Sequence, residues 1–325
     1  MNTLKRDILT ALFLGLLVPG LLLNYGTMLL QEVPQTQPET MAIAETEPET
    51  VSLPVLLRRS EAVTLEDMDA YLTGVLLAEM PTTFQIEALK AQAVAARTYA
   101  RKAWETGGKH TDGSVCTDPA CCQAYIAPES YLAQGGTQEG LDRVREAVLE
   151  TSGYVLTYQG NLIEATYFSC SGGSTESAVA VWGTDYPYLQ AVESPGEDKA
   201  IYDRDTVSFS LEQFQEALGE KLDGAPTGWF REVVYTDGGG VATMTIGEQS
   251  YTGQQLRSLL GLRSTAFSVD VQEDTILITT RGYGHRVGMS QYGADAMAMQ
   301  GKNFRQILAH YYQGTELTLL EGEDY

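Results

Sequence analysis

The chain has 325 residues, of which 43% are hydrophobic and 20% are charged, and its formal net charge is −22 at pH 7. This composition can form a substantial hydrophobic core, which excludes an intrinsically disordered chain. Such a negative charge repels nucleic acid, so a nucleic-acid partner is excluded as well.

The first long apolar segment covers residues 8–30 and contains no charged residue. A helix of this length, at ~1.5 Å per residue, would extend about 34 Å and cross the hydrocarbon core of a bilayer. Lys5 and Arg6 precede it and no basic residue follows before Arg58, so the N-terminus should stay in the cytoplasm. A cleaved signal peptide is the alternative, but no small-residue cleavage site follows closely. We expect a cytoplasmic tip and a single-pass membrane anchor over 1–31.

The segment after this anchor, residues 32–54, is rich in Glu, Pro and Thr and poor in large apolar side chains. This composition cannot form a packed core and predicts an acidic, disordered tether. The folded, extracytoplasmic domain is expected over 55–325.

Two helices are predicted at the start of that domain. Thr64 with Asp67 three residues later has the pattern of a capping box, and Pro81 predicts that the first helix stops at Met80. A second helix, over about 83–106, is rich in alanine and is followed by two glycines that should end it. Its small side chains should allow close helix packing: Ala88, Ala91, Ala95 and Ala96.

The remaining elements change from helical to strand patterns along the chain. One further helix is predicted over 131–153, and two more near the C-terminus, over 252–262 and 303–312. Strand patterns cover 153–158, 161–168, 231–236, 241–247 and 275–280, and residues 237–240 read as a turn. Helices and strands are segregated, so we predict an α+β class in which N-terminal helices, mixed strands and glycine-rich loops form a substrate cleft.

Glu79 is the first candidate for chemistry, because it lies on the apolar side of the first predicted helix. Burial disfavours a carboxylate, so its pKa should be raised. A protonated carboxyl at neutral pH can act as a general acid and afterwards as a base. The alternative is a helix-end Glu that reaches solvent beside Pro81.

Two glycine-rich stretches, "YFSCSGGST" over 167–175 and "RGYGHRVGMSQYGA" over 281–294, follow strand-like segments. They bring hydroxyl, amide and imidazole groups into tight turns, which suits a pocket for a polar substrate. The alternative is that the glycines only permit turns. The candidate substrate-binding residues are Tyr167, Ser171, His285, Ser290 and Gln291.

The motifs "GVLLAEMP…EALKAQAVAARTYA", "SCSGGST" and "GYGHRVGMSQYGA" together resemble the stage II sporulation protein D family, over about residues 55–319. One departure is Arg286, where many relatives have Gly after the His. The resemblance implies a lytic transglycosylase that acts on peptidoglycan glycan strands, preferentially those stripped of stem peptides. It also implies work beside a cell-wall amidase and engulfment-complex membrane proteins, between the mother-cell and forespore membranes.

The Glu of the family's "EMP" motif is its catalytic residue, and here it is Glu79. Most glycosidases use two carboxyl groups, whereas a lytic transglycosylase lets the C6 hydroxyl of the substrate attack the anomeric carbon. Glu79 would protonate the bridging oxygen and then accept the hydroxyl proton. The product is a 1,6-anhydro sugar, and the chemistry requires no cofactor.

Lys90, Arg97 and Arg101 form a basic stripe in the second predicted helix, within roughly 40° of one another. Each stripped muramic acid keeps a lactyl carboxylate, which these side chains, Lys90 and Arg97 above all, are expected to bind. The alternative is a solvated face paired with Glu87.

The sequence "HTDGSVCTDPACC" offers His110, Cys116 and Cys122 at spacings of six, a ligand set that suits Zn²⁺ with water or a substrate group in fourth place. Cys121 is an alternative to Cys122, and a disulfide from Cys116 to either is the competing interpretation. Some members of the resembling family hold zinc in this loop. A metal here should stiffen the loop beside the catalytic Glu rather than perform the cleavage.

Two other functions stay open from the sequence alone. Cys170 and His285 have the residue types of a nucleophile and its base, as in a peptidase or amidase, although nothing in "SCSGG" lowers the thiol pKa. A wall-binding scaffold that recruits a hydrolase is the non-enzymatic alternative.

Overall fold

The structure is a computed structural model that describes residues 54–59 and 62–320. The anchor predicted over 1–31, and the tether up to residue 53, lie outside the described residues. Within the described part of the chain, no helix is both long and apolar enough to cross a membrane. All described residues belong to one compact unit.

The helices of the described region include long ones near its start and shorter ones after residue 170. They are α1 Met68–Glu79, α2 Ile86–Thr106, α3 Pro128–Ala133, α4 Gln138–Leu149, α5 Ala178–Trp182, α6 Leu211–Leu218, α7 Gly253–Leu259, α8 Gln291–Met299 and α9 Phe304–Tyr311, with a 3₁₀ turn at Pro226–Gly228.

The strands form several small sheets rather than one large one. They are β1 Pro54–Arg59, β2 Ala62–Asp67, β3 Val115–Cys116, β4 Tyr154–Tyr158, β5 Asn161–Leu162, β6 Tyr167–Phe168, β7 Gly173–Ser174, β8 Glu193–Ser194, β9 Arg204–Ser210, β10 Phe230–Tyr235, β11 Val241–Ile246, β12 Gln249–Thr252, β13 Phe267–Gln272, β14 Thr275–Arg281, β15 Met289–Ser290 and β16 Glu316–Leu319. The three-stranded sheets have the orders β2-β1-β3, β16-β4-β5, β10-β11-β12 and β13-β14-β9. The mixed α+β class predicted from the sequence is confirmed.

Helix α2 is the centre of the larger hydrophobic core, where α1, α4, α8, α9 and β4 pack against it. Its alanines at positions 88, 91, 95 and 96 are fully buried, as the sequence predicts for a close helix contact. The helix ends at Gly107, whose φ of 85° is left-handed and favours glycine.

A second hydrophobic core lies under the sheets of the C-terminal half. The sheet β13-β14-β9 contributes Ile276 and Ile278, and helices α6 and α7 contribute Phe214 and Leu256, all fully buried. This core holds α7 in place, and one side chain of α7 reaches the candidate site.

Two helix boundaries differ from the sequence predictions. Thr64 lies in β2, which pairs with β1, and Asp67 itself caps α1 by accepting a hydrogen bond from the Ala70 N–H. The helix predicted over 131–153 is two helices, because Gly135 adopts a φ of 93° and Thr137 caps a new start by accepting from the Gly140 N–H. The strand pattern over 161–168 likewise divides into β5 and β6.

Candidate active site and metal cluster

Glu79 is the last residue of α1, and the chain turns to an extended conformation at Met80, before Pro81. Its Oε1 accepts a 2.8 Å hydrogen bond from the Ala124 N–H, and its Oε2 lies 3.4 Å from the Gln291 amide nitrogen. Burial raises the pKa of Glu79, and these two donors oppose the shift only in part. The direction expected from the sequence is confirmed.

A hydrogen-bonded chain of three side chains lies next to Glu79. Tyr71 donates to the Gln123 carbonyl oxygen at 2.9 Å, and the Gln123 amide donates to the Tyr167 hydroxyl at 2.9 Å. Both tyrosines have raised pKa values, mainly through burial and in part through the nearby Glu79. These phenols therefore stay neutral near pH 7, whereas Glu79 beside them can change its charge.

A cavity of about 700 Å³ opens beside Glu79, next to the larger hydrophobic core. Its aromatic wall consists of Tyr99, Tyr167, Phe168, Trp182, Tyr186 and Tyr283. Trp182 and Tyr283 are 43% and 39% exposed, so part of each side chain is accessible from the cavity. The other charged or imidazole groups on the wall are Lys109, Glu164, Arg257 and His285.

The two glycine-rich stretches lie side by side, because β15 pairs in parallel with β6 and isolated bridges join Cys170 to Tyr283 and Glu176 to Val287. The pairing brings Tyr167 and His285 to the cavity wall and Gln291 to the Glu79 carboxyl. These three predicted residues are thus brought together at one site.

Ser171 and Ser290 do not line the cavity, which corrects their predicted position. Both are fully buried and donate to Oε1 of Glu197, at 2.9 and 2.7 Å. Ser194 and two backbone N–H groups complete the shell around this carboxylate. Glu197 therefore holds the two glycine-rich loops together on the side away from the cavity. The sequence analysis does not identify Glu197, because nothing in its local sequence distinguishes it from a surface acid.

Arg286 is also structural. Its φ of 65° explains why glycine suits this position. The guanidinium is almost fully buried, pairs with Glu176 at 3.1 Å and donates to the carbonyl oxygens of Ser171, Ser174 and Gly238. The side chain thus ties one glycine-rich stretch to the other and to the turn at 237–240.

The basic stripe does not lie at the cavity. Arg97 is fully buried, where it pairs with Asp69 at 2.8 Å and donates to the carbonyl oxygens of Thr151 and Val148. Since water cannot reach it, a glycan cannot either, which corrects its predicted role.

Lys90 and Arg101 are engaged as well. Lys90 pairs with Glu87 at 2.8 Å and with Glu150 at 2.5 Å, and Arg101 pairs with Glu105 at 2.9 Å. For Lys90, the structure therefore agrees with the alternative interpretation of the basic stripe, in which its side chain pairs with Glu87.

His285 is a neutral imidazole. Burial first, and then the positive charges of Arg257 and Lys109, lower its pKa to about 4. Its Nδ1 accepts a hydrogen bond of 3.1 Å from the Val287 N–H, so the proton of the neutral ring is on Nε2. Its ring packs against those of Phe168 and Trp182.

Cys170 is fully buried, and burial raises the pKa of its thiol to about 12. A nucleophilic Cys needs an accessible thiolate, and a general base needs a pKa near the working pH. Neither Cys170 nor His285 has that property, which removes the basis of the hydrolase interpretation.

His110, Cys116, Cys121 and Cys122 bring four ligand atoms within 4.8 Å of one another. The Cys121 sulfur lies 3.6 Å from the His110 ring nitrogen and 3.9 Å from the Cys122 sulfur. Tetrahedral zinc with ~2.3 Å bonds to sulfur separates its ligand atoms by roughly 3.5–4 Å, so the set fits the ion. All four cysteines, each in the described part of the chain, are free thiols.

This cluster offers one candidate ligand more than the sequence predicted, because Cys121 and Cys122 both lie in it. With all four bound to Zn²⁺ as three thiolates and an imidazole, no coordination position would stay open, which is typical of a structural zinc site. The next two residues, Gln123 and Ala124, hold Tyr167 and Glu79. A metal in the cluster would therefore fix the donors of the candidate active site.

Comparison with known proteins agrees with the motifs. A family model described as SpoIID, stage II sporulation protein, matches residues 58–158. The chain is 39% identical over 287 residues to stage II sporulation protein D of Bacillus subtilis (strain 168), covering 87% of this chain and 83% of that protein. The Bacillus amyloliquefaciens protein of the same name is 39% identical over 272 residues, covering 82% and 79%.

A third similar protein is the amidase enhancer of Bacillus subtilis (strain 168), which is 29% identical over 306 residues. The match covers 76% of this chain and 40% of that protein. With identity of 39% across most of both chains to two stage II sporulation D proteins, this chain belongs to the stage II sporulation protein D family.

Proposed function

We propose that this protein is a lytic transglycosylase that cleaves peptidoglycan glycan strands to 1,6-anhydro products during sporulation and forespore engulfment. Strands stripped of stem peptides are the preferred substrate. The observation that carries the proposal is Glu79, a partly buried carboxyl of raised pKa on the wall of a 700 Å³ cavity.

The first step needs a proton donor. A carboxyl whose pKa is raised by burial keeps its proton closer to neutral pH and can donate it to the bridging oxygen as the glycosidic bond breaks. The carboxylate left behind is stabilised by the Ala124 N–H and the Gln291 amide. These donors favour the charged form, so they assist the acid at the moment it loses its proton.

The second step needs a base. The Glu79 carboxylate accepts the proton of the C6 hydroxyl while that oxygen bonds to the anomeric carbon. The proton balance closes, because Glu79 is protonated again at the end and no water enters. The other carboxyl on the wall, Glu164, pairs with Lys102 at 2.8 Å, and this mechanism gives it no part in the reaction.

The aromatic wall supports a sugar ligand. Pyranose rings present apolar C–H faces that pack on aromatic rings, while their hydroxyls need hydrogen-bond partners at the rim. Trp182, Tyr186 and Tyr283 offer such faces beside Glu79. A chain of sugars fits this open cavity better than a compact metabolite.

His110, Cys116, Cys121 and Cys122 would hold a structural Zn²⁺, whose contribution is to fold the loop rather than to polarise the substrate. The residues after the cluster then keep the Ala124 N–H on Glu79. The chemical steps themselves require no cofactor.

Location and partners complete the proposal. The apolar segment 8–30 anchors the protein in the membrane as a single pass, with the domain outside the cytoplasm. There it works on peptidoglycan beside a cell-wall amidase and other engulfment-complex membrane proteins. The similarity to an amidase enhancer supports a role close to an amidase.

The deciding experiment incubates the full-length protein and its Glu79→Gln variant with stripped glycan strands and analyses the products by mass spectrometry. The wild type should release fragments with 1,6-anhydro-muramic ends. The variant keeps the volume of the side chain but has no transferable proton, so cleavage should fall by ~10³–10⁴-fold while glycan binding persists. A wild type that binds the strands but cleaves none would instead support the wall-binding scaffold.

A further inference from the structure

Arg257 is a basic side chain of the cavity wall for which the described part of the chain supplies no partner. It lies in α7, half-buried, on the wall shared with Tyr283 and His285. No hydrogen bond or ion pair links its guanidinium to another described residue. An unpaired guanidinium in a partly desolvated position is costly unless a ligand binds it.

The helix that carries Arg257 holds it firmly. Thr252 and Gln255 form a capping box at the start of α7, and Leu256 is fully buried in the second core. The cation is therefore presented by a fixed helix rather than by a mobile loop.

The other charged side chains on the cavity wall either have a partner or are held towards their uncharged form. The Lys109 amine donates to the Cys121 carbonyl oxygen, and Glu164 is neutralised by Lys102. Glu79 is held towards its uncharged form by burial. Arg257 and Lys109 thus leave positive charge at the cavity of a chain whose net charge is −22, and of the two Arg257 is the one without a hydrogen-bond partner among the described residues.

We propose that Arg257 binds the lactyl carboxylate of a muramic acid and so selects glycan strands from which the stem peptide has been removed. This inference rests on the proposed function. On an intact strand the same carbon is an uncharged amide, which cannot form the paired, charge-assisted hydrogen bonds of a carboxylate with a guanidinium. The acidic protein as a whole repels an anionic strand, so a local cation is needed where the strand binds.

The test compares two substrates that differ only at that group: stripped strands, and stripped strands whose lactyl carboxyls have been coupled to methylamine. Wild-type kcat/KM should be roughly 10- to 100-fold higher on the free-carboxylate strands, the range of one charge-assisted hydrogen-bonded pair. Arg257→Met should lose that preference and should cleave the amidated strands as fast as the wild type does. Arg204→Met is the matched control, because Arg204 is an exposed arginine of the same half of the chain that does not line this cavity.

Each outcome decides the point. A wild type without preference, or an Arg257→Met variant that keeps it, overturns the role of Arg257 even though cleavage confirms the proposed function. If the wild type cleaves neither strand, the proposed function has failed, and calorimetric binding of the two strands decides instead. In that case, tighter binding of the free carboxylate that is lost in Arg257→Met supports the inference, and equal binding overturns it.

Discussion

The Glu79 carboxylate accepts a 2.8 Å hydrogen bond from the backbone N–H of Ala124, two residues beyond Cys122. The end of α1 and the cysteine loop therefore meet at the atom that carries the proton. Because this donor favours the ionised carboxylate, the pKa of Glu79 depends on where the loop lies. The charge state of the site can thus be changed without altering Glu79 itself.

Gln291→Ala should raise the pKa of Glu79 further, because the Gln291 amide is one of the two groups that lower it. The alkaline limb of the kcat profile, where the acid loses its proton, should therefore move to higher pH. Turnover at neutral pH should fall about 10-fold, since the carboxylate formed on proton donation loses a hydrogen-bond donor. The measurement is kcat against pH.

Gln300→Ala, at the far end of α8, serves as the control and should keep the wild-type profile. Thermal unfolding of Gln291→Ala should be close to that of the wild type. Unchanged kinetics in Gln291→Ala would show that this glycine-rich stretch serves only to form turns.

The cysteine cluster should bind one zinc ion per chain, measured by elemental analysis of the full-length protein. Cys116→Ser or treatment with a chelator should lower the midpoint of thermal unfolding, because the loop loses its cross-link. The same treatments should shift the alkaline limb of kcat to higher pH, because the Ala124 N–H is then no longer held on Glu79.

Cys170→Ala is the matched cysteine variant outside the cluster and should retain the zinc and the cleavage activity. Absence of zinc together with an oxidised Cys116 in mass analysis would favour the disulfide that the sequence left open.

Glu164→Gln should keep most of the activity and the 1,6-anhydro product. Glu164 lines the cavity but is bound to Lys102, and a lytic transglycosylase needs no second carboxyl to activate water. The measurement is product mass, since an anhydro end is one water lighter than a hydrolysed end. If Glu164→Gln abolishes cleavage and the wild type produces hydrolysed ends, the enzyme is a two-carboxylate hydrolase.

His285 should make the protein sensitive to acid. Its pKa is about 4 in the folded chain against 6.5 for an ordinary His, so the unfolded chain binds this proton first as the pH falls. The free energy of unfolding should therefore decrease from pH 6.5 to pH 4, by on the order of 3 kcal/mol from this group.

The raised pKa of Glu79 acts in the opposite direction, because its contribution to stability is lost as the pH rises through its folded value. The informative quantity is therefore the difference between the wild type and His285→Gln in urea unfolding at several pH values. Equal pH slopes in the two proteins would show that His285 is not held neutral.

The half-buried position of Glu79 could be predicted from the sequence because its signal is local. The apolar spacing of α1 and the helix stop before Pro81 place the carboxyl on a buried side, and the structure agrees. The predicted start of the same helix is wrong, because Thr64 lies in β2 and pairs with β1 across a hairpin. A capping pattern alone cannot reveal such a strand pairing.

Glu197 and Arg257 could not have been predicted in the same way. Glu197 gathers hydroxyls from three separated segments, among them Ser171 and Ser290. Arg257 reaches the cavity from a helix that belongs to the second core. Such relationships come from the packing of distant elements. The basic stripe, in contrast, is visible in the sequence, but its Arg97 is fully buried in the structure.

The buried pair of Arg286 and Glu176 restricts which single substitutions the protein tolerates. Replacing Arg286 with glycine would relax the backbone, since its φ is 65°, but would leave the Glu176 carboxylate buried without its cation. Removing one partner of a buried pair costs about 3–5 kcal/mol, a large share of the stability of a typical domain. The same penalty applies whichever partner is lost first, because the Arg286 guanidinium and the Glu176 carboxylate are both almost fully buried. A change at either position alone is therefore expected to destabilise the protein more than a matched change at both, so the two side chains act as one unit in any substitution.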